Sequence, residues 1–165
     1  ICHCLVGSEM CIRDRELALD QQPKLRATLL DLYWTSEAYP EVCQTLEKLN
    51  VLDVKLSILS NGTSDMLLSA CASTGIDQLL DFVVSVEEVG VFKPDRRVYE
   101  LVNAKMGYQT RETLFVSSNG WDIVGAAKFG FSTVWINRNK KPVERLPWRP
   151  NEEFPNLEQL IDLLN

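Results

Sequence analysis

The chain has 165 residues, a formal charge of −6, 45% hydrophobic and 24% charged residues, one histidine and five cysteines. That length and balance suit one folded domain with a buried core and exclude a disordered or fibrous chain. The acidic balance argues against a nucleic-acid partner, no apolar run approaches the roughly 18 residues of a membrane span, and a lone histidine removes chemistry built on histidine pairs.

The chain opens on Cys2, His3, Cys4 and Cys11, a four-ligand zinc candidate by residue type. No second half-site or turn chemistry supports it, and no small-residue cleavage site makes the segment a signal peptide. Leu5 to Asp14 instead resembles the in-frame translation of a transposase sequencing adapter, CTC GTG GGC TCG GAG ATG TGT ATA AGA GAC. Residues 1–15 are therefore read as an artefact, and the natural protein is expected to continue upstream of Glu16. Without them the chain keeps two cysteines, Cys43 and Cys71, and no histidine. Those two are expected to be buried thiols in a reducing, cytoplasmic setting.

From Glu16 to Tyr33 the spacing of Leu17, Leu25, Leu29, Leu30 and Tyr33 predicts a helix that Pro23 starts or breaks. A second helix opens at Tyr39-Pro40, with Val42, Leu46 and Leu49 on one face. Lys55 to Ser60 reads as a buried strand ending in the turn Asn61-Gly62-Thr63. Ser64 and Asp65 are candidate caps for the next helix, which Gly75 closes. The alternation then repeats: strand Phe82 to Ser85, a helix from Pro94-Asp95, strand Leu114 to Ser117, helix Ile123 to Phe129, strand Thr133 to Ile136. The stretch Pro142 to Pro155 is expected to be a loop, and Leu157, Leu160, Ile161 and Leu164 mark a closing amphipathic helix. Strands separated by single helices predict βαβ crossovers, hence an α/β fold with a mainly parallel sheet.

Ligands of open parallel sheets bind beyond the carboxyl ends of the strands. Three of those ends collect polar groups here. Ser60-Asn61-Gly62-Thr63 offers a hydroxyl, an amide and backbone N–H groups at a helix entrance, suited to an anion, although a turn with a helix cap uses the same residues. Lys93, between Phe92 and Pro94, can hold a fixed positive charge over the site or lie solvated on the surface. Ser117-Ser118-Asn119-Gly120-Trp121-Asp122 places two hydroxyls, an amide and a carboxylate directly after a buried strand, and a capped loop would also satisfy them. Three such loops on one sheet edge favour a site.

These segments, with Arg97-Val98-Tyr99, Gly125-Ala126, Phe129-Gly130-Phe131, Trp135-Ile136-Asn137-Arg138 and Tyr39-Pro40-Glu41-Val42, resemble the (S)-2-haloacid dehalogenases of the haloacid dehalogenase-like hydrolase superfamily. The resemblance runs from about Leu30 to Asn165 and implies a Rossmann-like three-layer core over residues 39–165, with 16–38 a remnant of a helical cap. It implies an aspartate that displaces halide from a 2-haloalkanoic acid with inversion, and an aspartyl ester that water then hydrolyses. In that scheme Ser60 and the Asn61 backbone hold the substrate carboxylate and the Asn61 amide stabilises departing halide. Lys93 pairs with the nucleophile and is pinned by Tyr99. Ser117, Asn119 and Asp122 orient the hydrolytic water, while Trp121 walls the apolar pocket. For Tyr99 and Trp121 core packing is the plain alternative.

The family's nucleophile lies in an Asp-x-x-Gly-Thr motif at the end of its first, central strand, and no such motif occurs in the 165 residues. The expected core therefore lacks that strand and most of the cap, leaves two strand edges unpaired, and is expected to be inactive and poorly soluble. No cofactor is expected: Ser118 and Asn119 stand where Mg²⁺-dependent relatives carry acidic ligands, which makes a poor site for a hard cation. The expected partners are a small 2-haloacid and water, and the resemblance implies a homodimer. A Mg²⁺-dependent phosphatase of the same superfamily and a noncatalytic anion-binding module are the competing readings.

Overall fold

The computed structural model describes residues 27, 28, 31, 34, 37–143 and 145–164. The segment 1–15, with its cysteine–histidine cluster, and nearly all of the helix expected over Glu16 to Tyr33 lie outside them. Helix α1 (Val42–Asn50) buries Val42, Leu46 and Leu49 on the face their spacing implies. It leads into strand β1 (Ser57–Ser60) and helix α2 (Ser64–Thr74). The cap of α2 is Thr63, whose Oγ1 accepts from the Met66 N–H at 3.3 Å, so Ser64 and Asp65 fall inside the first turn and do not cap it. At its other end Gly75 adopts φ +72°, the left-handed geometry that glycine takes without strain.

Strand β2 (Phe82–Ser85) follows, and then helix α3 (Arg96–Met106), capped by the Asp95 carboxylate on the Arg97 N–H. Pro94 was expected to start this helix. It instead follows a cis peptide bond from Lys93, two residues before the first helical position. Strand β3 (Leu114–Ser117), helix α4 (Gly120–Phe129) and strand β4 (Ser132–Ile136) continue the alternation. The stretch expected to be a loop, Pro142 to Pro155, contains a short strand β5 (Glu152–Phe154). Helix α5 (Gln159–Leu164) ends the described chain, with Leu157 fully buried just ahead of it.

Among the described residues every strand pairing is parallel. The one sheet expected is, among the described residues, two: β1 with β2, and β3 with β4 and β5. They nevertheless form a single layer. Alternate residues point to opposite faces of a strand, and both faces are apolar here. Leu59, Val84, Phe115 and Trp135 pack with Val98, Tyr99 and Val102 of α3 and Ile123 and Ala126 of α4. Ile58, Val134 and Ile136 pack on the other face with Val42 and Leu46 of α1, Cys71 of α2 and Leu160 of α5. Each cluster takes residues from both sheets, so helices hold the halves side by side in three layers. Continuous apolar strands of this kind belong to sheets covered on both faces.

Candidate active site

Each of β1, β2 and β3 ends in serine, and each hydroxyl turns the chain that leaves the strand. Ser60 Oγ accepts from the Gly62 N–H at 3.1 Å, and Ser117 Oγ from the Asn119 N–H at 3.2 Å. Ser85 Oγ donates to the Gly62 carbonyl at 2.7 Å and accepts from the Glu87 N–H. A hydroxyl is short enough to take a backbone group two residues on, which is why serine suits a strand-to-loop corner. These turns bring the polar loops to one edge of the layer.

Lys93 and Asp122 meet there. Lys93 Nζ lies 2.7 Å from Asp122 Oδ2, and both side chains are 2% exposed. The same ammonium donates to the Leu59 carbonyl of β1 at 3.2 Å. Asp122 also accepts from Ser117 Oγ on Oδ2 at 3.2 Å and from the Tyr99 hydroxyl on Oδ1 at 3.0 Å. A buried carboxylate with three donors, one cationic, is fixed in place and stays compensated. Asp122 lies in the first turn of α4, as the capped-loop alternative has it, but the Asn119 side chain makes no cap and the carboxylate turns to Lys93.

Five of the expected residues thus form one connected cluster: Lys93, Asp122, Ser117, Tyr99 and Asn61, whose Oδ1 accepts from the Lys93 N–H at 2.9 Å. The Tyr99 hydroxyl donates to Asp122, the carboxylate that also holds Lys93. Ser60, 1% exposed, lies at the end of β1 beside this cluster, and Asn119 adjoins it with a buried Nδ2 that has no acceptor among the described residues. Among the described residues no hydrogen bond or ring contact ties the partly buried Trp121 to the group, whereas Trp135 Nε1 supports the loop through the Ser118 carbonyl at 3.3 Å.

Two supports were not read from sequence. Glu87 Oε2 accepts from the Ser64 N–H at 2.7 Å, which lowers its carboxyl below the ordinary value and steadies the Asn61 loop from another strand end. Nothing in the local sequence marks a partner 23 residues away. At the end of β4, Arg138 Nη2 pairs with Glu41 Oε1 at 2.5 Å and stacks on the Tyr39 ring, joining the start of α1 to the same edge. Burial alone would raise the Glu41 carboxyl; its own backbone N–H and Arg138 outweigh that and leave it lowered.

Between β1 and β3 lies a cavity of about 300 Å³. Ile58 and Leu59 of β1 and Phe115 and Val116 of β3 face it, with Lys93, Ser117 and Asp122 at one end. Asp53, Lys55, Tyr108 and Glu112 stand at the other end, where Lys55 Nζ lies 5.7 Å from the Tyr108 ring centre.

The sequence profile of the haloacid dehalogenase-like hydrolases matches residues 9–130. The chain is 39% identical over 149 residues to an (S)-2-haloacid dehalogenase of Pseudomonas sp. (strain YL), covering 90% of this chain and 64% of the relative. It thus spans less than two thirds of that curated relative's length. A crystal structure of a dehalogenase superposes with TM-score 0.84 at 37% identity, covering 89% of this chain and 67% of that one. The L-2-haloacid dehalogenase from Xanthobacter autotrophicus with chloropropionic acid covalently bound superposes with TM-score 0.73 at 33% identity, covering 79% and 62%.

Proposed function

The chain belongs to the haloacid dehalogenase-like hydrolases, and from that premise and the strand-end geometry we propose that it is the charge-holding and water-orienting part of an (S)-2-haloacid dehalogenase. The observation that carries the reading is the buried Lys93–Asp122 pair, braced by Ser117 and Tyr99 at the carboxyl ends of β1 and β3. The relative from Pseudomonas bears that activity in its name, and the Xanthobacter structure holds chloropropionic acid covalently.

In this reading the nucleophilic aspartate comes from a segment that the 165 residues do not contain. It attacks the substrate's α-carbon, the carbon–halogen bond breaks with inversion, and halide leaves with the electron pair. Ser60 and the Asn61 backbone hold the substrate carboxylate, and the Asn61 amide faces the departing halide. Lys93 offsets the nucleophile's negative charge at a site where low polarity strengthens the interaction. Water held by Ser117, Asn119 and Asp122 then attacks the aspartyl carbonyl and releases the (R)-2-hydroxy acid. The unpartnered Asn119 Nδ2 is one donor free for that work.

A Mg²⁺-dependent phosphatase fits the donor set less well. Asp122 already takes three donors, including an ammonium at 2.7 Å, so its oxygens are a poor offer to a hard cation that wants carboxylate ligands. The reading carries a reducing, cytoplasmic setting for Cys43, partly buried, and Cys71, buried.

The test joins this sequence to an upstream Asp-x-x-Gly-Thr strand and assays halide release from (S)-2-chloropropionate without added metal. Turnover that Lys93→Met and Asp122→Asn each abolish supports the reading. Phosphate release on added Mg²⁺, with no halide, overturns it.

A further inference from the structure

We propose that Glu87 is a specificity-determining residue: its carboxylate occupies the entrance of α2 as a built-in anion, so that the Ser60–Asn61 loop accepts a singly charged carboxylate and turns away a doubly charged phosphate. It rests on the reading that Ser60 and the Asn61 backbone hold the substrate's carboxylate.

A helix entrance attracts anions because its first N–H groups lack acceptors within the helix and the helix dipole is positive there. Here several of those groups are taken from inside the chain. The Gly62 N–H goes to Ser60 Oγ at 3.1 Å, and the Met66 N–H to Thr63 Oγ1 at 3.3 Å. The N–H of Ser64, the first residue of α2, goes to Glu87 Oε2 at 2.7 Å, the shortest of the three. Ser85 sets how that carboxylate arrives. Its hydroxyl accepts from the Glu87 N–H at 3.1 Å and donates to the Gly62 carbonyl at 2.7 Å. Loop and carboxylate are thus tied to each other at Gly62 and again at Ser64.

Glu87 keeps its charge. The Ser64 backbone N–H, ahead of the Ser64 and Ser85 hydroxyls, holds its carboxyl below the ordinary value, and among the described residues no Lys or Arg pairs with it. A negative charge therefore stands at the loop that receives the substrate. Ser60 Oγ accepts from Gly62, which leaves its proton to give to a ligand. Such a loop can hold one negative charge. Repulsion from Glu87 doubles for a dianion, because the Coulomb energy scales with the ligand's charge.

The test separates charge from shape. Sulfate and methanesulfonate are both tetrahedral oxyanions, the first doubly and the second singly charged, and propionate stands for the carboxylate. Each is titrated into the 165-residue chain at low ionic strength, where surface charges are least screened, and the Asn61 and Gly62 amide resonances read the affinity. If that chain aggregates, the chain extended as for the halide assay replaces it. The parent should bind propionate and methanesulfonate more tightly than sulfate. Glu87→Gln keeps an acceptor for Ser64 and removes the charge; it should tighten sulfate about tenfold and methanesulfonate about threefold. Glu87 is exposed, so this change leaves the core intact. Glu88→Gln removes a neighbouring charge that Lys105 pairs at 2.9 Å, and should leave both affinities within about twofold. Equal gains for the two anions in Glu87→Gln, no gain for sulfate, or the same gain in Glu88→Gln overturns the role of Glu87 and leaves the pocket standing. No response of Asn61 and Gly62 to any of the three anions overturns the pocket as well. No arm reads dehalogenation, so this result and the halide assay fail separately.

Discussion

Gly125 sits on α4 where that helix meets Tyr99 of α3. A Cβ built there would lie 2.4 Å from Tyr99 Oη, 2.7 Å from Pro94 Cβ and 3.2 Å from Tyr99 Cζ. The tyrosine has little room to retreat: it is fully buried, with Phe115, Phe129 and Phe131 ring centres 5.7, 5.8 and 6.1 Å away. Gly125→Ala therefore overpacks the contact, at a cost of about 1–3 kcal/mol. If Oη moves away from Asp122 Oδ1, the buried carboxylate loses a donor, which adds about 1–3 kcal/mol. Alanine's better helix propensity returns about 1 kcal/mol. The expected net loss is about 3 kcal/mol, large against the ~5–15 kcal/mol that holds a domain folded. Tyr99→Phe removes the atom nearest the new methyl, so alanine should cost less in the phenylalanine background, with a coupling of about 1 kcal/mol between the two changes. Pro94 stays in the way, so relief is partial. Urea unfolding of the four variants, followed by tryptophan fluorescence, measures the cycle. An alanine variant as stable as the parent, or costs that add within about 0.5 kcal/mol, refutes the reasoning.

Asp122→Asn leaves Lys93 charged and 2% exposed without its counter-ion, and should cost about 3–5 kcal/mol in the same unfolding assay. Lys93→Met with Asp122→Leu should recover most of that, and a double variant no better than Asp122→Asn would count against a buried-charge cost. Thr63→Ala removes the cap on α2 and should lower stability by about 1 kcal/mol, with no loss contradicting the cap. Asp95 is held at about 2, below its ordinary 3.8, chiefly by the Arg97 side chain and then by the Arg97 N–H. A depressed folded value stabilises above the unfolded value and is lost on acidification. The melting-temperature gap between the parent and Asp95→Asn should thus be full above pH 3.8 and close as pH falls through about 2; a gap that persists below that excludes the linkage.

The strand-to-helix alternation was legible because its apolar runs are buried on both faces and bounded by turn residues. Ile58-Leu59, Val83-Val84 and Phe115-Val116 announce strands before any pairing is known. Strand β5 was not, because Glu152-Glu153-Phe154 lies between prolines and two of its three residues are charged. Its strand character comes from pairing with β4, a tertiary fact. The site divides the same way. Residue types at the strand ends pointed to Lys93, Ser117 and Asp122, and hydrogen bonds join all three. Spacing could not say that Tyr99 would cross to Asp122, because that bond depends on how closely α3 approaches α4 at Gly125.

The strand pairings have a bearing on how the chain assembles. Ser57 pairs with Phe82 and Leu114 with Ser132, so each sheet closes within its own stretch of sequence, and no recorded pairing joins one stretch to the other. Both core clusters nevertheless draw residues from each stretch, so the stretches are joined by side-chain packing and not by backbone pairing. Lys93 lies in the connection between them, touching the Leu59 carbonyl in the first and Asp122 in the second. Its ammonium can enter a dry environment only when both units are present to receive it. The ion pair therefore reports the union of the halves: it forms only where the two parts of the layer have come together.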